Sequence, residues 1–234
     1  NKGLLVDRVD ADQLALSERA QPVGQDAPAE RVSEFVNCGV PLSTFEVEVR
    51  DESGEVVPER HIGVIYVRAP SVMSGYFNEP EITAQTLSPD GWLNTGDIGY
   101  QTAAGIFITG RKKDLIIING RNIWPQDLEW AIENVAGVRS GCAAAFSVAD
   151  GDNEERVVVV AESYLTEAVK QDALIREIAA IIHKSAGVHC EVVLVPARSL
   201  IYTSSGKLSR SAAKTQYLSG SIRSIHQGSE NPMP

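Results

Sequence analysis

Ile106-Phe107-Ile108-Thr109-Gly110-Arg111-Lys112-Lys113-Asp114-Leu115-Ile116-Ile117-Ile118 decides how this chain is organised. Two apolar runs of strand length, 106–108 and 115–118, flank a charged stretch that begins with glycine. Shortly afterwards Pro125, whose fixed φ suits the first helical position, opens a helix. Its apolar residues Leu128, Ile132 and Val135 repeat at i, i+4 and i+7, and Gly137 lies just past its end. The charged stretch therefore reads as a boundary, placed near Arg111, between a β-rich segment before it and an α+β segment after it.

Upstream of that boundary, Phe45, Val47 and Val49 alternate with Glu46, Glu48 and Arg50, the period of a half-buried strand. An Asp51-Glu52-Ser53-Gly54 turn leads to a second strand at 63–68, giving a small antiparallel unit. Residues 1–35 are acidic and weakly periodic and read as an irregular or loosely helical excursion. Downstream come strands at 143–148 and 157–160, and then a helix capped by Thr166. That helix carries Leu174, Ile175, Ile178, Ile181 and Ile182 on one face and stops at Gly187. A last strand spans 191–195. The expected class is α+β: an antiparallel β-rich subdomain over 1–110, then a compact domain over 111–220 with a short mixed sheet and flanking helices. Residues 221–234, rich in Ser, Gly, Asn and Pro, read as a disordered tail.

Composition narrows the function classes. A content of 43% hydrophobic and 22% charged residues is that of an ordinary globular protein. No apolar run reaches the ~18 residues of a membrane span. A net charge of −10 argues against a general nucleic-acid binder, which needs a basic face for phosphates. Cys38, Cys142 and Cys190 are far apart and read as buried hydrophobes in a reducing cytoplasm. His61, His183, His189 and His226 have no metal-ligand spacing. Asn1 opens the sequence without a methionine, as expected of a piece cut from something longer.

Three segments place charge beside glycines or hydroxyl residues. In Gly91-Trp92-Leu93-Asn94-Thr95-Gly96-Asp97 the carboxylate of Asp97 is able to accept both hydroxyls of a diol such as a ribose; the plainer reading is a turn aspartate. Arg111 is a candidate for an anion or a ribose oxygen, against the plainer reading of an exposed charged turn. Thr203-Ser204-Ser205-Gly206-Lys207 invites a phosphate-loop reading that fails. Ile201 stands where a glycine is required and Leu208 where a Ser or Thr is. It reads instead as a polar loop presenting Lys207, suited to transient neutralisation of a carboxylate or phosphate.

Taken together and in order, these segments resemble the adenylate-forming superfamily of acyl-CoA synthetases, luciferases and peptide-synthetase adenylation domains. Gly75-Tyr76-Phe77-Asn78-Glu79-Pro80 and the run ending in Asp97 match two of its core motifs. The stretch from Gly110 to Asp114 with Asn119-Gly120 matches the hinge motif, and Ser205-Gly206-Lys207 the terminal lysine motif. The resemblance covers nearly the whole chain except the tail. It implies that Asp97 binds the ribose hydroxyls of ATP, with Arg111 assisting at the ribose or phosphate. It places Lys113 at the hinge of a rotating small domain and Gly120 near the pantetheine channel. Lys207 becomes the lysine that bridges carboxylate and phosphate.

Within the superfamily, Asn37-Cys38-Gly39-Val40-Pro41, Gly120-Arg121-Asn122-Ile123-Trp124-Pro125 and Gly141-Cys142-Ala143-Ala144-Ala145-Phe146 look like the fatty acyl-AMP ligases. That subgroup often has His-Tyr where this chain has Ile123-Trp124. The excursion at 1–35 sits where the subgroup carries an extra insertion. The resemblance implies ATP and magnesium as cofactors, a fatty acid as substrate and a carrier-protein phosphopantetheine as acceptor. Acyl-CoA formation is the alternative. The phosphate loop, the magnesium ligand and the acyl tunnel are expected upstream, so this stretch alone is expected to fold without catalysing adenylation. A reading from a different class is a non-catalytic docking module that uses the basic run Lys207, Arg210, Lys214 and Arg223 against an acidic carrier protein.

Overall fold

The computed structural model describes residues 3–149 and 155–226. The chain divides between Lys113 and Asp114 into two compact units.

The first unit is built on a four-stranded antiparallel sheet. Its strands are β3 (Glu46–Arg50), β4 (Gly63–Arg68), β5 (Leu93–Thr102) and β6 (Gly105–Arg111), in that spatial order. The excursion is more ordered than its composition indicates. β1 (Val6–Asp10) and β2 (Val32–Val36) pair antiparallel, with helix α1 (Ala11–Ser17) between them, and Asp10 caps α1 by accepting from the amides of Asp12 and Gln13. The anchor is Tyr100 of β5, which is fully buried. Its ring stacks on Phe107 at 4.9 Å and meets Phe35 edge-on, while its hydroxyl donates to Asp7 at 2.8 Å. Asp7 also receives Arg60 at 3.0 Å. Burial, followed by the bond to Asp7, drives the Tyr100 phenol above its ordinary range, so the hydroxyl stays a donor. Helix α2 (Pro80–Thr86) starts with proline at its first position.

The second unit is a three-layered α+β body, the class its patterning leads one to expect. In its mixed sheet, β10 (Glu155–Ser163) is central. It pairs antiparallel with β9 (Val138–Ala149) and parallel with β11 (Cys190–Pro196). Both faces of β10 are covered, which explains its unbroken valine run. Val157 and Val159 pack with Leu128 and Ile132 of α3 (Pro125–Ile132) and with Leu174, Ile178 and Ile182 of α4 (Ala168–Ala186). Val158 and Val160 face the other way, onto Phe146, Leu200 and Ala213 of α5 (Arg210–Leu218). A hairpin of β7 (Ile116–Ile118) and β8 (Arg121–Ile123) precedes α3.

Several local details differ from the patterning. Helix α3 ends at Ile132, before Val135, which nonetheless stays in the core. Glu167 rather than Thr166 caps α4, without a side-chain bond. Gln171, buried in its first turn, donates to the Leu165 carbonyl at 2.8 Å, and Gly187 closes the helix at φ 71°. Cys38 is exposed rather than buried. The first part of the expected tail is packed: Ile222 lies against the α5 side of the sheet, the Ile225 amide donates to the Leu194 carbonyl, and His226 bonds Asp172. Residues 227–234 of that tail lie outside the described residues. None of the described helices is long and apolar enough to cross a membrane.

Candidate active site

The expected site residues fall into two groups, one in each unit.

In the first unit, Asp97 and Arg111 are register partners across β5 and β6, and Arg111 Nε donates to Asp97 Oδ1 at 2.9 Å. The segment before Asp97 is locked by its own side chains. Thr95 Oγ1 donates to the Ile65 carbonyl at 2.7 Å and accepts the Asp97 amide at 3.1 Å. Asn94 Oδ1 accepts the amide of Gly96, which sits at φ 71° where a side chain would be strained. The register then shifts between Ile98 and Gly99. A Cβ at Gly99 would lie 2.1 Å from the Phe107 carbonyl oxygen, so only glycine lets β5 and β6 close here. The carboxylate of Asp97 is 26% exposed, and the guanidinium that neutralises it is 54% exposed. The pair offers two hydrogen-bond acceptors next to a cation, a donor set suited to a diol that carries a phosphate.

Lys113 is exposed in a single 3-10 turn, Lys112–Asp114, at the last residue of the first unit.

In the second unit, Gly120 forms the tip of the β7–β8 hairpin. Asn119 at φ 52° and Gly120 at φ 74° are both left-handed, as a two-residue turn between Ile118 and Arg121 requires. Lys207 lies on a separate short hairpin closed by the bridge between Tyr202 and Leu208. The Thr203 amide donates to the Lys207 carbonyl at 2.7 Å, and Thr203 Oγ1 accepts the Lys207 amide at 3.2 Å. The Lys207 side chain is exposed, and among the described residues no carboxylate pairs with its ammonium. It borders a cleft of about 370 Å³, lined also by Glu129, Trp130, Arg139, Tyr202 and Arg210.

Sequence patterning missed what surrounds Lys207. Arg210 reads as part of a solvated basic run, yet it grips Glu129 of α3 with two bonds of 2.6 and 2.7 Å and reaches Asp114 at 3.3 Å. Those bonds, with the charge of Glu129 and Asp114, hold the guanidinium still more firmly protonated than usual. Glu129 in turn accepts the Ala145 amide at 3.0 Å. Arg210 is therefore committed internally rather than displayed beside Lys207. Nothing short-range signals this pair, since 81 residues separate its members.

No family model matches the chain. A Caulobacter vibrioides protein provisionally named acyl-CoA synthetase is 48% identical over 94% of this chain. A long-chain-fatty-acid–AMP ligase of Mycobacterium marinum is 33% identical over 92% of it. A solved structure from a study of fatty acyl-adenylate ligases of E. coli and L. pneumophila superposes with a TM-score of 0.82, at 37% identity over 94% of this chain and 38% of that one. The fold is the one that the matched stretch of that ligase structure has. The chain belongs to the superfamily of adenylate-forming ligases, which takes in acyl-CoA synthetases, fatty-acid–AMP ligases and peptide-synthetase adenylation domains. It spans 38% and 40% of the lengths of the two curated relatives.

Proposed function

We propose that this chain is the C-terminal part of an ATP-dependent ligase that activates a fatty acid as acyl-AMP and passes the acyl group to the phosphopantetheine thiol of a carrier protein. The observation that supports this best is the Asp97–Arg111 pair, a partly exposed carboxylate and a half-exposed guanidinium 2.9 Å apart on adjacent strands of one sheet. Asp97 accepts the two ribose hydroxyls of ATP, while Arg111 orients that carboxylate and adds positive charge near the phosphates. Lys207, on its exposed hairpin, lies between the substrate carboxylate and the α-phosphate during attack. Like charges repel there, and an ammonium placed between them lowers the barrier. Lys113 is the pivot about which the second unit turns. Rotation withdraws Lys207 and brings Gly120 to the thiol channel, so that one pocket serves both half-reactions. The ligands of the magnesium ion that accompanies ATP belong to the part of the enzyme outside this chain.

The test uses the full-length enzyme that contains this segment, with ATP, magnesium, a series of fatty acids, and either CoA or a phosphopantetheinylated carrier protein. Mass spectrometry of the products is expected to show acyl-AMP accumulating in the presence of CoA and acyl transfer to the carrier. Efficient acyl-CoA formation would instead make it an acyl-CoA synthetase, the reading that the name of the Caulobacter relative favours. Absence of any adenylate would leave the non-catalytic docking module.

A further inference from the structure

Glu162 is the last apolar-facing position of β10, in the row of Val158 and Val160, yet it is a carboxylate with no exposure at all. A buried charge is costly, and well-packed apolar residues of similar volume often serve stability as well or better. Its partners indicate what it does. Arg139 Nη1 donates to one oxygen at 2.6 Å, and the Leu200 amide donates to the other at 3.0 Å. Burial works to raise this carboxyl, but the Arg198 and Leu200 amides and the Arg139 guanidinium outweigh it and leave the group below its ordinary range.

Both amides belong to the segment that leads directly into the Lys207 hairpin. Arg198 sits there at φ 68°, a left-handed conformation that a non-glycine residue holds only when its surroundings impose it. From that point the chain runs through buried Leu200 to Tyr202. The Tyr202 hydroxyl donates to the sulfur of buried Cys142 at 3.0 Å. Burial, followed by that bond, pushes the Tyr202 phenol up to about 12, so it remains a donor at any working pH. On the far side, the Ser209 amide donates back to the Ile201 carbonyl at 2.9 Å. Two fixed points on the sheet, Glu162 and Cys142, thus hold the base of a hairpin whose tip carries an exposed lysine.

We infer that Glu162 is a positioning residue for Lys207: its buried carboxylate, bonded to the Leu200 amide and Arg139, sets the path of the segment that delivers the lysine, with Tyr202 on Cys142 as a second anchor. This rests on the proposed role of Lys207 in adenylation. A lysine that must lie between two anions has little tolerance for displacement, since a shift of about 1 Å at a reacting group costs up to about a hundredfold in rate. Glu162→Gln keeps the shape but presents a donor where the Arg139 guanidinium and the Leu200 amide already donate.

The experiment measures the two half-reactions separately in the full-length enzyme, for Glu162→Gln, Tyr202→Phe and Lys207→Ala. ATP–pyrophosphate exchange reports adenylation, and thioester formation from pre-made acyl-AMP reports transfer. For Glu162→Gln the expected result is an adenylation kcat lower by about tenfold or more, with KM for ATP and the transfer rate within about twofold. Tyr202→Phe should show the same selectivity with a smaller loss. In the 234-residue chain itself, hydrogen exchange at the Thr203, Gly206 and Lys207 amides should accelerate in Glu162→Gln. Equal loss in both half-reactions for both variants would reduce Glu162 to a structural role and overturn the inference. So would unchanged adenylation in Glu162→Gln and Tyr202→Phe alongside a crippled Lys207→Ala. Retained exchange activity in Lys207→Ala would sink the functional reading itself, and the inference with it.

Discussion

Arg111 lies directly opposite Asp97 across two hydrogen-bonded strands, its Nε 2.9 Å from the Asp97 carboxylate. Exposed pairs of this kind contribute only about 0–1 kcal/mol to stability. If the pair exists for ligand binding, removing it should be nearly silent in unfolding and loud in kinetics. Asp97→Ala is expected to shift the denaturation free energy by less than about 1 kcal/mol and to raise KM for ATP at least about tenfold in the full-length enzyme. Isothermal denaturation and initial-rate kinetics check the two halves. A large stability loss with unaltered KM would assign the pair to the fold.

The Arg210–Glu129 pair should behave in the opposite way. Both side chains are mostly buried, at 28% and 15% exposure, and truncating the arginine strands a carboxylate inside the second unit. Arg210→Ala is expected to destabilise by about 2–4 kcal/mol, somewhat below the figure for a fully buried pair. Arg210→Lys should rescue little, because an ammonium lacks the two-pronged geometry. Chemical denaturation followed by far-ultraviolet circular dichroism measures both.

Asp127, in the first turn of α3, has its carboxyl pushed up to about 6 from an ordinary 3.8 by burial. The sign follows from proton uptake. Between those two values the folded state holds the proton more tightly than the unfolded chain, so stability falls as pH rises through the window. Above about pH 6 the penalty is complete and amounts to at most about 3 kcal/mol. Asp127→Asn should therefore stabilise the protein by about 1–3 kcal/mol at pH 8 and by almost nothing below pH 4. A difference between variant and parent that does not change with pH would refute it.

Gly99→Ala forces a Cβ to within 2.1 Å of the Phe107 carbonyl oxygen and 3.0 Å of Ile65 Cδ1. Because the obstacle is backbone, β5 and β6 must separate, at a cost of about 1–3 kcal/mol or more. Thermal unfolding is expected to show a lowered midpoint. KM for ATP should also rise, since Asp97 and Arg111 are held by the same strand pair. An unchanged midpoint would show that the strands part without cost.

Much of the scaffold was legible from residue order. The alternation at 45–50 is strand β3, the stripe from Leu174 to Ile182 is the buried face of α4, and Pro125 and Gly187 stand where a helix starts and another ends. These are short-range signals, in which burial of one face imposes a period on neighbouring residues. Strand β5 escaped because Asn94-Thr95-Gly96-Asp97 has the composition of a turn. Its ordering comes from Ile65 on the adjacent strand, contacted by Thr95, and from Asp7, 93 residues away, contacted by Tyr100. The acidic excursion at 1–35 misled for the same reason: its carboxylates act as caps and as partners of Arg31 and Arg60, none of which shows in periodicity.

By itself, then, the sequence determined the α+β class and which residues carry charge at Asp97, Arg111 and Lys207, because local pattern and motif spacing are properties of neighbours along the chain. Only the tertiary structure decided that Arg111 closes on Asp97, that Arg210 is spent on Glu129, and that Glu162 holds the approach to Lys207. Hydrogen bonds and ion pairs form between whatever the fold brings within about 3 Å, and no local period records a partner dozens of residues away.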